Sequence, residues 1–201
     1  MRKSRFSLIE LLAVVGVIGL LTAIAFPALH LGQTAFKKAS VRSKMNALVM
    51  AINAYKATYG TFPLGYGMIN GTASATNEKI VLTDSKTVGS ETKSCGAWLR
   101  DILVGDNARK INFLSGDNLD IGVKNTASNL GTIYKDYWRS GREVAEASGN
   151  DFIIYMDVYN YDNQITGPGG STYAAPVLIY SKGPNGADNG GGGDDIVSWK
   201  K

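Results

Sequence analysis

The oxygen-bearing side chains near the C-terminus are the residues best suited to chemistry. The run SKGPNGADNGGGGDDIVSW, residues 181–199, carries Asp188, Asp194 and Asp195, with no Lys or Arg between residues 185 and 195. Gly190, Gly191, Gly192 and Gly193 separate the acids, and Ile196, Val197 and Trp199, which call for burial, follow them. Both ends of the loop are therefore expected to be fixed, unlike those of a glycine linker. Closing such a loop draws carboxylates together unless a cation lies between them. Oxygen-only donors on an irregular, carbonyl-rich loop suit Ca2+, which accepts about six to eight oxygens in loose geometry, better than Mg2+ or Zn2+. No EF-hand spacing is present, so a solvated acidic turn stands as the alternative. Residues 157–163, DVYNYDN, also carry oxygens at short spacing and read as a hairpin turn.

The second chemically unusual residue is Glu10, a carboxylate inside the apolar run FSLIELLAVVGVIGLLTAIAFPAL of residues 6–29. An isolated charge there costs on the order of 3 kcal/mol on insertion scales. Such a charge calls for a partner. A positive group on a neighbouring helix, brought to Glu10 by an axial stagger, is one candidate. Snorkelling of Glu10 to the headgroups is the other.

Other chemistries lack their residues. His30 is the one histidine and sits at the end of the apolar run, which excludes a His-based metal cluster or a Ser-His-Asp triad. Cys95 is the one cysteine, so the core must hold without an internal disulfide, and no histidine stands in the following domain to activate the thiol. No phosphate-binding glycine motif follows a strand. The chain is therefore expected not to be an enzyme. Its 21 Lys and Arg against 17 Asp and Glu give +4, but Arg2, Lys3 and Arg5 precede the apolar run, and the remainder is near +1. The basic balance therefore points to no nucleic-acid partner.

The elements that must position these residues follow from periodicity. The 24 residues of 6–29 would span about 36 Å as helix, enough for a hydrocarbon core of about 30 Å. The basic residues before them place the N-terminus in the cytoplasm by the positive-inside rule. Pro27 should kink or loosen this helix. Beyond it Val41, Met45, Leu48, Ile52, Tyr55 and Tyr59 recur at spacings of three and four, with Lys37, Lys38, Arg42, Lys44 and Lys56 between them. A single helix over 6–59 would make a rod of about 80 Å, stopped by Gly60. Residues 64–94 read as loop with a short strand at 79–82, 96–105 as a short helix, and 111–114 as a brief strand or turn. Residues 115–129 are polar, and Gly149-Asn150 is a turn. Strands are expected at 151–159, 176–181 and 195–199, with 160–173 as a connection. The order is α+β, a long helix followed by a small antiparallel sheet. One soluble domain of ordinary size is the expectation.

The N-terminal motif Phe6-Ser7-Leu8-Ile9-Glu10, after the basic leader MRKSR, resembles the start of a type IV prepilin or a type II secretion pseudopilin. Pro27, the twenty-second residue counted from Phe6, and the Tyr-Gly-Thr-Phe-Pro exit at residues 59–63 extend the resemblance over residues 6–63. It implies a pilin-like fold, a leader at 1–5 removed between Arg5 and Phe6, N-methylation of Phe6, a Glu10–Phe6 charge pair in assembly, a transmembrane and filament-core helix at 6–29, and an exported domain at 30–201. Arg5 stands where the family usually has Gly.

The C-terminal loop is similar to the calcium loop of the major pseudopilin. That likeness implies Asn185 at a family Asp position, backbone carbonyls from Lys182 and Ala187, a second carboxylate from Asp194 or Asp195, and Asp188 in compensation. The expected function is a structural subunit of a type II secretion pseudopilus. Its partners would be copies of itself, minor pseudopilins, a prepilin peptidase and the inner-membrane assembly platform. The chain would lie in the inner membrane by a single pass, with its domain periplasmic, before joining a periplasmic filament. The alternatives are a type IV pilus subunit for adhesion, motility or DNA uptake, and a simple secreted or anchored binding domain. An ordinary signal peptide cut at Ala23-Ile24-Ala25 would start the mature chain at Phe26 instead of Phe6.

Overall fold

The computed structural model describes residues 7–64, 79–80, 82–83, 85–114 and 133–199, with the side chains of 25–31 and of Lys86 outside the description. The leader, Phe6 and the polar segment 115–129 therefore lie outside the described residues. The chain divides into two units, one ending at Ala39 and the other running from Ser40.

One α-helix, α1 (Leu8–Tyr59), carries both the apolar and the amphipathic segments. Its helical backbone continues through Pro27. In the first unit the apolar side chains face outward: Leu8, Leu12, Leu20 and Ile24 are 64–77% exposed. Among the described residues no helix is long and apolar enough to cross a membrane. The described side chains of the apolar half run only from Leu8 to Ile24, short of the roughly 20 residues a span needs, and the sequence continues as AFPALHL.

In the second unit the expected stripe is the core. Val41, Met45, Leu48 and Ile52 are fully buried, while Tyr55 and Tyr59 are half-buried and pack on Phe113. Lys44, on the charged side of the pattern, is also buried. Its ammonium reaches the Lys135 carbonyl and the Glu146 carboxylate and lies over the rings of Tyr137 and Phe152, so the charge is paired rather than solvated.

The sheet is antiparallel and four-stranded among the described residues: β1 (Lys79–Ile80), β6 (Ile153–Met156), β9 (Val177–Ser181) and β10 (Ile196–Val197), in the order β1-β6-β9-β10. Side chains alternate across it. Ile154, Met156, Ile179 and Ile196 join the α1 stripe in the main core. Ile153, Tyr155, Leu178, Tyr180 and Val197 form a smaller cluster on the opposite face with Ile165, Tyr173 and Trp199. The fold is thus α+β, as the pattern of elements predicts.

The strands are shorter than expected for local reasons. β6 ends before Asp157 because that buried carboxylate accepts the amides of Tyr161 and Asn163 and turns the chain. The connection that follows contains its own hairpin, β7 (Ile165–Thr166) with β8 (Thr172–Tyr173). Two further hairpins are present: β2 (Ser85–Val88) with β3 (Glu91–Ser94), inside the 64–94 region expected as loop, and β4 (Trp138–Arg139) with β5 (Arg142–Glu143), where no element was expected. The short helix is α2 (Cys95–Leu103), started by Ser94, whose hydroxyl accepts the Ala97 amide. Residues 111–114 form no strand; the amides of Phe113 and Leu114 both bond the Leu103 carbonyl.

A buried charge cluster fastens α2 to β3. Arg100 donates twice to Asp101 Oδ1, at 2.9 and 2.7 Å, and Lys93 donates to Asp101 Oδ2 at 2.9 Å.

Candidate cation-binding loop and the N-terminal carboxylate

The loop leaves β9 at Ser181. There the Ser181 hydroxyl donates to Asp136 Oδ2 at 2.6 Å and accepts the Gly183 amide at 3.1 Å. Asp136 also accepts the amides of Trp138 and Asn150, so one buried carboxylate ties the β4 region to the start of the loop. Burial raises the Asp136 carboxyl above its ordinary pKa, with those hydrogen bonds offsetting part of the shift.

Inside the loop the acids act as staples for backbone amides. Asp194 Oδ2 accepts the Asn185 amide at 2.7 Å, and Asp194 Oδ1 accepts the Asn189 side-chain amide at 3.1 Å. Asp195 Oδ2 accepts the amides of Asn189 and Gly191, at 3.1 and 2.8 Å. Asp188 Oδ1 accepts the Tyr180 hydroxyl at 2.9 Å and the Gly190 amide at 3.1 Å, while Asn185 Oδ1 accepts the Ala187 amide at 2.7 Å. The expectation that closing the loop needs a cation between carboxylates thus meets a second solution, in which loop N–H groups stabilise the ionised acids.

The glycine run is built into this arrangement. Gly190, Gly191 and Gly193 have φ of +63°, +77° and +55°, the left-handed region that favours glycine. At Gly191 a Cβ would come within 2.6 Å of Trp199 Cζ2, so the indole packs directly on the backbone. Trp199 in turn meets Tyr173 and Tyr180, with ring centroids 5.2 and 6.0 Å apart. Gly186 touches the tip of the β4–β5 hairpin, where a Cβ would lie 2.8 Å from the Ser140 amide nitrogen.

Some oxygen-ligand capacity remains. Asp195 Oδ1 is buried without a hydrogen-bond partner among the described residues, and Asp188 Oδ2 accepts no hydrogen bond among them. Burial pushes the Asp195 carboxyl above its ordinary pKa. The Gly191 and Asn189 amides oppose that shift, and the charges of Asp188 and Asp194 add to it. Among the described residues no three His, Cys, Asp or Glu side chains converge closely enough to hold a metal by themselves. Any cation here would draw on carbonyls and one or two carboxylates, a donor set Ca2+ accepts. The orphaned Asp195 oxygen and the mutual repulsion of the acids fit a cation; the stapled Asp194 is held by amides instead.

At the other end of the chain, Glu10 has a partner that the sequence reading passed over. Its carboxylate accepts the Ser7 backbone amide at 2.9 Å, while the Ser7 carbonyl accepts the amides of Glu10 and Leu11. Ser7 and Glu10 are thus placed as the ends of an S-x-x-E capping motif, and the acid lies in the first turn of α1 where the helix dipole favours it. The spacing was visible in the sequence. Arg5 and Phe6 lie outside the described residues, as does the side chain of Pro27.

No known protein family, no curated protein and no solved structure matches the chain.

Proposed function

We propose that the chain is a filament subunit of the prepilin class with a pilin-like fold, most similar to the major pseudopilin of type II secretion. The observation that carries this reading is α1 itself. One continuous helix buries its second half against a sheet and leaves the apolar side chains of its first half exposed. A stripe from Leu8 to Ile24 left in water would forfeit about 25 cal/mol for each Å2 of apolar surface, so it calls for a bilayer before assembly and neighbouring helices after it. Such a helix matches the F-S-L-I-E motif in both position and character.

Glu10 has two roles in this account. In the single chain it caps α1 through the Ser7 amide. In the filament its charge meets the amine of a neighbouring Phe6, released after Arg5 by a prepilin peptidase, and the pair sets the stagger between subunits. The chain sits in the inner membrane with its domain periplasmic, and assembles on the inner-membrane platform with copies of itself and minor pseudopilins.

A structural Ca2+ in the Ser181–Trp199 loop belongs to the same proposal. Asp188, Asp195 and the carbonyls of Lys182 and Ala187 would supply oxygens, with Asn185 and Asp194 shaping the loop around them. The ion would neutralise the acids and supply no catalytic chemistry.

Two variants separate the roles of Glu10. Glu10→Gln keeps an oxygen for the Ser7 amide but no charge; Glu10→Leu removes both. Membrane insertion should survive in each, and pilus assembly in cells, read by shearing and immunoblotting, should fail in each. Normal filaments from Glu10→Gln would show that the capping bond suffices and would overturn the charge-pair reading.

A further inference from the structure

A cavity of about 410 Å3 opens where β1 ends and β6 begins, beside the β4–β5 hairpin and the first residues of the glycine loop. That size lies within the range of small-molecule sites, about 300–1,000 Å3. Its charge is unbalanced: Lys79, Lys135, Arg139 and Lys182 line it against Asp151 and Asp188. Lys135 is committed to Asp151 at 3.0 Å. Arg139 and Lys182 form no ion pair among the described residues.

The hairpin supplies an independent observation. Arg139 lies directly opposite Arg142 in the ladder, with Ser140 and Gly141, both at positive φ, making the turn between them. Two guanidinium groups facing each other across a two-stranded ladder repel, a cost that an anion bound to Arg139 would relieve. The rest of the wall has a different character. Asp151 Oδ2 accepts no hydrogen bond in the described structure, while Ile80 and Phe152 close the floor as buried core residues. Asn150, also in the wall, has a buried Nδ2 without an acceptor.

We propose that this cavity binds a hydroxylated organic phosphate of sugar-phosphate size. Arg139 and Lys182 hold the phosphate through charge-assisted hydrogen bonds, with the guanidinium fork suited to two oxygens at once. Asp151 accepts a ligand hydroxyl through its Oδ2. The inference is independent of assembly through Phe6 and Glu10, since it uses only side chains of the second unit and leaves Asp188 and the Lys182 carbonyl to the loop.

The test is calorimetric titration of the full chain in nonionic detergent with glucose 6-phosphate, inorganic phosphate and glycerol 3-phosphate. Glucose 6-phosphate should bind saturably and more tightly than the other two. Arg139→Gln and Lys182→Gln should each weaken it about tenfold or more, while Lys38→Gln, exposed on α1, should not. Arg139→Gln also removes the facing pair of like charges, so thermal melting should show it folded at least as stably as the parent. Absence of binding heat, unchanged affinity in both cavity variants, or equal affinity for all three phosphates would overturn the proposal.

Discussion

Replacing Gly191 by alanine tests whether the glycine run is built structure or a slack tether. The backbone there has φ +77°, where a side chain costs roughly 1–2 kcal/mol. The new Cβ would meet Trp199 Cζ2 at 2.6 Å and push the indole off Tyr173 and Tyr180. Each aromatic pair contributes about 0.5–1.5 kcal/mol beyond its burial, so partial loss of both adds roughly 1–2 kcal/mol. Gly190→Ala is the matched control. Its φ is +63°, but its Cβ would make only an ordinary contact, 3.6 Å from Pro168 Cβ, so it should pay the backbone cost alone. In a domain of this size the total for Gly191→Ala corresponds to a fall in Tm of roughly 5–15 °C, with Gly190→Ala near half of that. Calorimetry gives the Tm, and near-ultraviolet circular dichroism reports the Trp199 environment. A Gly191→Ala protein that melts with or above Gly190→Ala and keeps its aromatic signal would refute the packing argument.

Further outcomes follow from the same geometry. Added Ca2+ should raise Tm and protease resistance, by about 2.7 kcal/mol at a hundredfold excess over Kd, with Asp195→Asn abolishing the gain; a chelator that leaves both Trp199 fluorescence and proteolysis unchanged would remove the ion from the account. Asp136 should make the domain less stable as pH rises, because its folded pKa is raised: its contribution is complete below the ordinary value of 3.8 and is lost as pH climbs through the raised one. Urea midpoints measured across that window should fall less in Asp136→Asn, and an equal slope in the variant would assign the dependence to other groups. Lys44→Met should cost about 2–3 kcal/mol by leaving Glu146 and the Lys135 carbonyl without their cation, and Lys44→Met with Glu146→Gln should recover part of that loss in chemical denaturation; additive losses would mean the pair is not coupled.

The long helix was legible because burial repeats at Val41, Met45, Leu48 and Ile52 with helical period, and such a pattern survives tertiary context. The sheet strands at 153–156 and 177–181 were legible for their β-branched and aromatic runs, but their ends were not. An alternation of apolar residues says nothing of Asp157 turning to cap two amides. The β2–β3 hairpin escaped notice because SKTVGSETKS is polar, with few apolar residues to show a period, and its pairing rests on the ladder instead. The burial of Lys44 was not legible because its partners, Lys135 and Glu146, are about a hundred residues away in sequence.

At the loop, composition identified the acids and the need for closure, yet not the division of labour. Asp194 and Asp195 are used on amides four to nine residues away, which depends on backbone directions that residue types do not encode. The Ser7–Glu10 spacing is the opposite case, a local signal in which four consecutive residues encode the capping bond.

The filament account is tested most directly by the mature N-terminus. Intact mass and N-terminal sequencing of the chain isolated from membranes of its native host should give a chain that begins at Phe6 and carries one added methyl group. A chain beginning at Phe26 would show ordinary secretion, an intact Met1 would show an uncut anchor, and either would contradict assembly through Phe6 and Glu10.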